Sequence, residues 1–147
     1  MPSPSPAELL TELGSAIGIP ALCLDAQGCC RLMFDGSRLV EMRHVPAQGR
    51  WLLTTTLHAA ALSSEGWQLL LRGNLVGGGF GGGWAGLDEQ GRAVLHLPMV
   101  DADASGPALL QAVELLLNHA DRWDKRLMEG ASTARTQAPV QFWAQRI

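Results

Sequence analysis

Cys29-Cys-Arg-Leu-Met-Phe-Asp-Gly-Ser-Arg-Leu-Val-Glu-Met-Arg-His-Val45 is the stretch that decides the fold. Asp35-Gly36 sits between two runs of strand-forming residues, and this pair marks a tight hairpin because both residues tolerate a positive φ. Side chains alternate along both runs. Cys30, Leu32 and Phe34 fall on one face of the first run, with Arg31 and Met33 on the other. Val40, Met42 and His44 share a face of the second run, residues 39–45, and Glu41 and Arg43 lie opposite. A period of two in consecutive runs predicts antiparallel strands.

Working outward, residues 21–24 read as a further strand, joined to residues 29–34 by the turn-forming Asp25-Ala-Gln-Gly28. On the other side, Pro46-Ala-Gln-Gly49 forms a loop. Residues 51–57, with Thr54, Thr55 and Thr56 in succession, form another β-rich run. These links are too short for crossovers, so the four strands should make an antiparallel meander.

Helix signals bracket the meander. Ser5 caps, Pro6 takes the first helical position, and Glu8 completes a Ser-x-x-Glu capping box. Leu9, Leu10, Leu13 and Ile17 follow as one apolar stripe, and Gly18 with Pro20 ends it. A second helix is expected over 64–74, with Trp67, Leu70, Leu71 and Leu75 on its apolar face. Gly66 weakens that helix by up to ~1 kcal/mol.

Gly77-Gly-Gly-Phe-Gly-Gly-Gly83 cannot hold a regular element well, and reads as a flexible connector or a place of close backbone approach. Residues 84–87 and 92–99 flank Asp88-Glu-Gln-Gly91 as a second hairpin. Pro98 puts its last strand at an edge, or ends it there. A long helix should run from 107 to 128, with Arg122, Lys125 and Arg126 suited to its carbonyl end and Gly130 closing it.

The expected fold is therefore α+β, a twisted antiparallel β-sheet with three helices in the order α-β-β-β-β-α-β-β-α. One domain covers residues 1–130, and a flexible tail, 131–147, ends in the apolar Phe142, Trp143 and Ile147.

The bulk numbers narrow the function. A chain of 147 residues is one ordinary domain. Net charge is −3, and the 11 Lys and Arg are scattered, so nucleic acid is not an expected partner. The N-terminus lacks the cationic lead of a signal peptide, and no apolar run is long enough to span a bilayer. Cys23, Cys29 and Cys30 are odd in number and close together, which suits reduced thiols in a cytoplasm.

No motif organises a reaction. The glycine run lacks the Lys and the strand-then-helix context of a phosphate loop. His44, His58, His96 and His119 are isolated, and adjacent Cys29 and Cys30 point to opposite faces, so no metal or cofactor is expected. A Cys/His nucleophile pair needs closeness only in space, but no acid, base and orienter emerge around these thiols. The positive signal is apolar surface on both faces of a one-layer sheet, more than three helices can cover.

Several strings, in order, resemble the Tir-chaperone family, the class I chaperones of type III secretion. They are Leu9-Leu-Thr-Glu-Leu-Gly14, Leu22-Cys-Leu-Asp25 with Gly28, and Leu32-Met-Phe-Asp35. Leu69-Leu-Leu-Arg-Gly-Asn-Leu75, Gly86-Leu-Asp88 with Gly91, and Leu115-Leu-Leu-Asn-His-Ala120 with Trp123 complete the set over about residues 7–128. The resemblance implies a bacterial cytoplasmic homodimer without catalytic chemistry, which binds the N-terminal region of a secreted effector and meets the export ATPase. It implies effector grooves on the first helix and early strands, which designates Leu10, Leu13, Leu32, Phe34, Val40 and Met42. It also implies a dimer contact at the second helix and the next strand, which designates Trp67, Leu70, Leu71 and Trp84. A dimeric scaffold without a secretion role and a small Cys/His enzyme are the alternatives.

Overall fold

A computed structural model describes residues 3–59, 62–75 and 78–134, with side chains as far as Glu129. Helix α1 (Pro6–Ile17) begins with the expected capping box. Ser5 Oγ accepts from the Glu8 N–H at 3.2 Å, and the Ser5 N–H donates to Glu8 Oε2 at 2.6 Å. The bond from the Ser5 backbone N–H, with a smaller one from the Ser5 side chain, holds the Glu8 carboxyl below its usual range. Gly18, at φ +74°, ends the helix and returns its N–H to Gly14 O.

Three strands follow: β1 (Cys29–Phe34), β2 (Arg38–Val45) and β3 (Arg50–Thr56). Next come α2 (Ser64–Gly73), β4 (Trp84–Leu87), β5 (Ala93–Val100) and α3 (Gly106–Ala134). The sheet is antiparallel throughout, in the order β1-β2-β3-β5-β4. The excursion through α2 carries the chain past β3, so β5 returns to pair with β3 and leaves β4 at the rim.

The expected strand at 21–24 does not form, and the order is α-β-β-β-α-β-β-α. Ala21 takes a left-handed φ of +62°, which breaks an extended run at its first residue. The Asp25 carboxylate holds the Gln27 and Cys29 N–H groups at 2.8 and 3.1 Å, and Asp25 N–H donates to Cys29 O. No further rung pairs this segment with β1 among the described residues. Leu22 and Leu24 pack against the core instead.

Nor does α3 stop at Gly130; it continues to Ala134. An interior glycine costs a helix about 1 kcal/mol without terminating it. The tail expected over 131–147 is thus helical at its start, and 135–147 lie outside the described residues. Pro98 is not on an edge strand, because β5 lies between β3 and β4. It does stand past the last rung with β4, Trp84↔His96.

Of the two readings of the glycine run, residues 78–83 follow close approach. Gly79 N–H donates to Gly73 O at 3.0 Å, and Trp123 Nε1–H donates to Gly79 O at 2.9 Å. Phe80 stacks on Trp123 with ring centroids 4.8 Å apart. A Cβ on Gly73 would come within 2.9 Å of both rings.

Helices α1 and α3 pack together over one face of the sheet. Beneath them lie Val40, Met42, Trp51, Leu53 and Leu95, with almost no exposure. The sheet is bolted to α3 by a buried charge. Arg38 Nη2 meets Asp124 Oδ2 at 2.6 Å and Asp121 Oδ1 at 2.9 Å, while Nη1 donates to Thr56 O. The other oxygen of Asp124 accepts the Ala59 N–H at 2.9 Å. A buried ion is tolerated only when paired and bonded this fully.

Candidate functional site

The alternation that builds the strands also sorts their side chains into two faces. All four strand residues expected in effector grooves, Leu32, Phe34, Val40 and Met42, fall on the covered face, and Leu10 and Leu13 lie on the helix that helps to cover it. Leu10, Leu13, Val40 and Met42 are sealed, Leu32 is buried, and Phe34 is half-buried. They belong to a single core or pack against it. Period alone does not say which face the helices will choose.

The open face carries Met33 and Leu39, directly opposite each other in the β1–β2 register. They are 57% and 46% exposed, which makes them a paired apolar step beside the first hairpin. Next to them runs a polar strip. Arg31 joins Asp25 at 2.9 Å and Glu41 at 3.0 Å, and Glu41 also meets Arg43 at 3.1 Å. Across the sheet, Thr54 Oγ1 lies 2.8 Å from His96 Nδ1, and Trp84 leans on His96 with centroids 5.5 Å apart. Burial pushes the His96 pKa down, against a smaller upward pull from Glu41.

A second surface lies at the β4 rim. Trp67, Leu70 and Leu71 from α2 and Ala85 to Leu87 from β4 line an open apolar groove of about 300 Å³. Leu71 and Leu87 stand out at its lips. Asn74 fixes its width, donating from Nδ2 to Ala85 O at 3.1 Å and accepting the Ala85 N–H at Oδ1 at 2.6 Å. This side chain takes the place a neighbouring strand would occupy at that residue. Three of the four residues expected at a dimer contact are therefore together. Trp84 is not with them: it points to the open sheet face, with the Arg50 guanidinium 5.8 Å above its ring.

The thiols offer little chemistry. Cys29 and Cys30 are buried, and burial raises both pKa values, which disfavours the nucleophilic thiolate. Among the described residues, no group of three or more His, Cys, Asp or Glu side chains could hold a metal ion. No helix among them is long and apolar enough to cross a membrane.

The model of the Tir chaperone protein (CesT) family matches residues 8–124. The chain belongs to that family. No curated protein matches it in sequence. A chain of the ExsC–ExsE complex is 26% identical, with a TM-score of 0.73 over 81% of this chain and 90% of that one. The HopA1–SchA chaperone–effector complex gives 24% identity and a TM-score of 0.71, over 80% and 91%. The Yersinia pestis type III secretion chaperone SycH, solved with a stable fragment of YscM2, gives 19% and 0.67, over 80% and 98%. The Tir-chaperone assignment makes this protein a type III secretion chaperone and not an enzyme.

The exposed pair Met33 and Leu39 was not among the residues the sequence designated. The signal was present, since both fall on the side of their strands opposite Leu32 and Val40.

Proposed function

We propose that this Tir-family chaperone works in the bacterial cytoplasm as a homodimer. It binds the N-terminal segment of a secreted effector, keeps it partly unfolded and export-ready, and hands it to the export ATPase. The observation that carries the reading is the pair of uncovered apolar surfaces on a family member's fold: the Met33–Leu39 step and the α2–β4 groove. Two relatives of the same fold were solved as ExsC–ExsE and as a chaperone–effector complex, which supports a polypeptide ligand.

The two surfaces suit different partners. The α2–β4 groove is compact and self-complementary in kind, with Leu71 and Leu87 able to enter a second copy's groove across a two-fold axis. The open face adjoins β1, an edge strand of six residues with one side unpaired. An extended effector segment can add to that edge through its backbone and place side chains against Met33, Leu39 and the half-buried Phe34. Leu10, Leu13, Leu32, Val40 and Met42 then act beneath the contact, holding the strands that present it.

A pull-down from the source bacterium, followed by sizing of the complex with light scattering, tests the reading. The expected complex has two chaperone copies. Leu39→Asp should lower effector affinity more than tenfold and leave the dimer intact, whereas Leu71→Asp should halve the mass of the free chaperone. A free mass of one copy in the wild type, together with no effector retained, would overturn the proposal.

A further inference from the structure

A third surface belongs to neither role. Between the end of α2 and the middle of α3 lies a groove of about 350 Å³. Its floor is the Trp123 indole and the backbone of Gly78 and Gly79; Leu69 and Leu75 form one wall, and Arg72 and Arg126 stand on the rim. The floor is fixed, because Phe80 stacks against Trp123 and the indole N–H is held by Gly79 O. The Gly73 carbonyl at the end of α2 is taken by the Gly79 N–H, so it does not project negative charge into the groove.

We infer that this groove docks an acidic segment of a partner protein, with a carboxylate beside a bulky apolar side chain. The Arg126 guanidinium lies 5.0 Å over the Trp123 ring, and both side chains line the groove. A guanidinium binds a carboxylate with two parallel hydrogen bonds. Leu75, 75% exposed, offers the apolar half of the contact.

Charge selects the occupant. Residues 121–129 of α3 balance Arg122, Lys125 and Arg126 against Asp121, Asp124 and Glu129, but Asp121 and Asp124 pair with Arg38, and the charged residues that line the groove are Arg72 and Arg126, both positive, on a chain whose net charge is −3. This is a locally basic site on an acidic protein. The chain's own residues 135–147 carry Arg135 and Arg146 and no acid, so they have the wrong sign. A second copy meeting the groove about a two-fold axis would bring the same arginines against each other. The inference goes beyond effector holding and does not depend on it.

A blocked acidic hexapeptide with leucine and phenylalanine at its centre is a suitable probe of the full chain. Titration is followed by calorimetry and by the Trp123 indole N–H signal in a nitrogen–proton spectrum. Arg126→Glu should weaken binding at least tenfold and Arg126→Lys by less, while Arg92→Glu on the turn between β4 and β5 leaves it unchanged; thermal melting checks that each variant folds. Four results would overturn the inference. The same peptide with lysines for its acids binds equally well; a single-stranded oligonucleotide of equal charge binds more tightly; removal of residues 135–147 raises peptide affinity; or Arg126→Glu has no effect.

Discussion

One sheet presents two faces built by the same alternation, and they are used in opposite ways. Under α1 and α3, Val40 and Met42 have no solvent contact at all. One residue away on the same strand, Leu39 is nearly half exposed, and Glu41 is tied into a surface charge network. Neighbouring side chains of similar greasiness are therefore sealed into the core on one side and left open to solvent on the other. What separates them is only the placement of two helices.

Breaking the bolt between the faces should have the largest effect. Asp124→Ala leaves Arg38 buried without its closest partner, and should cost about 3–5 kcal/mol in chemical denaturation. Arg38→Met combined with Asp124→Leu should recover most of that loss, because an apolar pair of similar volume replaces both charges.

Next comes the direct comparison along β2. Met42→Ala should cost about 2–5 kcal/mol, as for other large-to-small changes in a sealed core. Leu39→Ala should stay within about 0.5 kcal/mol by the same denaturation measurement. Equal losses would mean that the open face is covered in the free protein.

A smaller effect should come from pH. Burial lowers the His96 pKa below its ordinary value of about 6.5, so the unfolded chain binds the extra proton first. Stability should be full above pH 6.5, fall as pH drops below it, and level off under the folded pKa. His119, lowered by burial and by Arg122, acts in the same direction. His96→Gln should flatten part of the slope of denaturation midpoint against pH, leaving the part due to His119. The smallest effect is expected at Arg31, whose ion pairs lie in water. Arg31→Ala should leave the denaturation midpoint where it was.

Local chemistry made much of this fold legible. The Ser5–Glu8 capping box, the Asp35-Gly36 hairpin and the Asp88–Gly91 turn depend on residues within four positions of each other, and each stands where the sequence puts it. The misses are of another kind. Residues 21–24 read as a strand from their apolar alternation, and only the left-handed Ala21 and the missing rungs remove it. Arg38 and Asp124 are 86 residues apart, and nothing near either one announces the other. The burial of the expected groove residues was hidden for the same reason: period two separates the faces, but the helix packing that covers one of them is a long-range event. The α2–β4 groove was partly readable, since Trp67, Leu70 and Leu71 sit on one helical stripe. Trp84 was not, because the orientation of a four-residue strand is set by its partner β5.

The shortness of β4 also has a bearing on solubility. Its ladder with β5 ends at His96, so among the described residues no strand lies beside 97–100 on that side, and Pro98 among them has no N–H to donate. A stray extended chain laid along that border would lose a rung there and could not template another layer. A type III secretion chaperone thus carries its own brake against being drawn into cross-β aggregates.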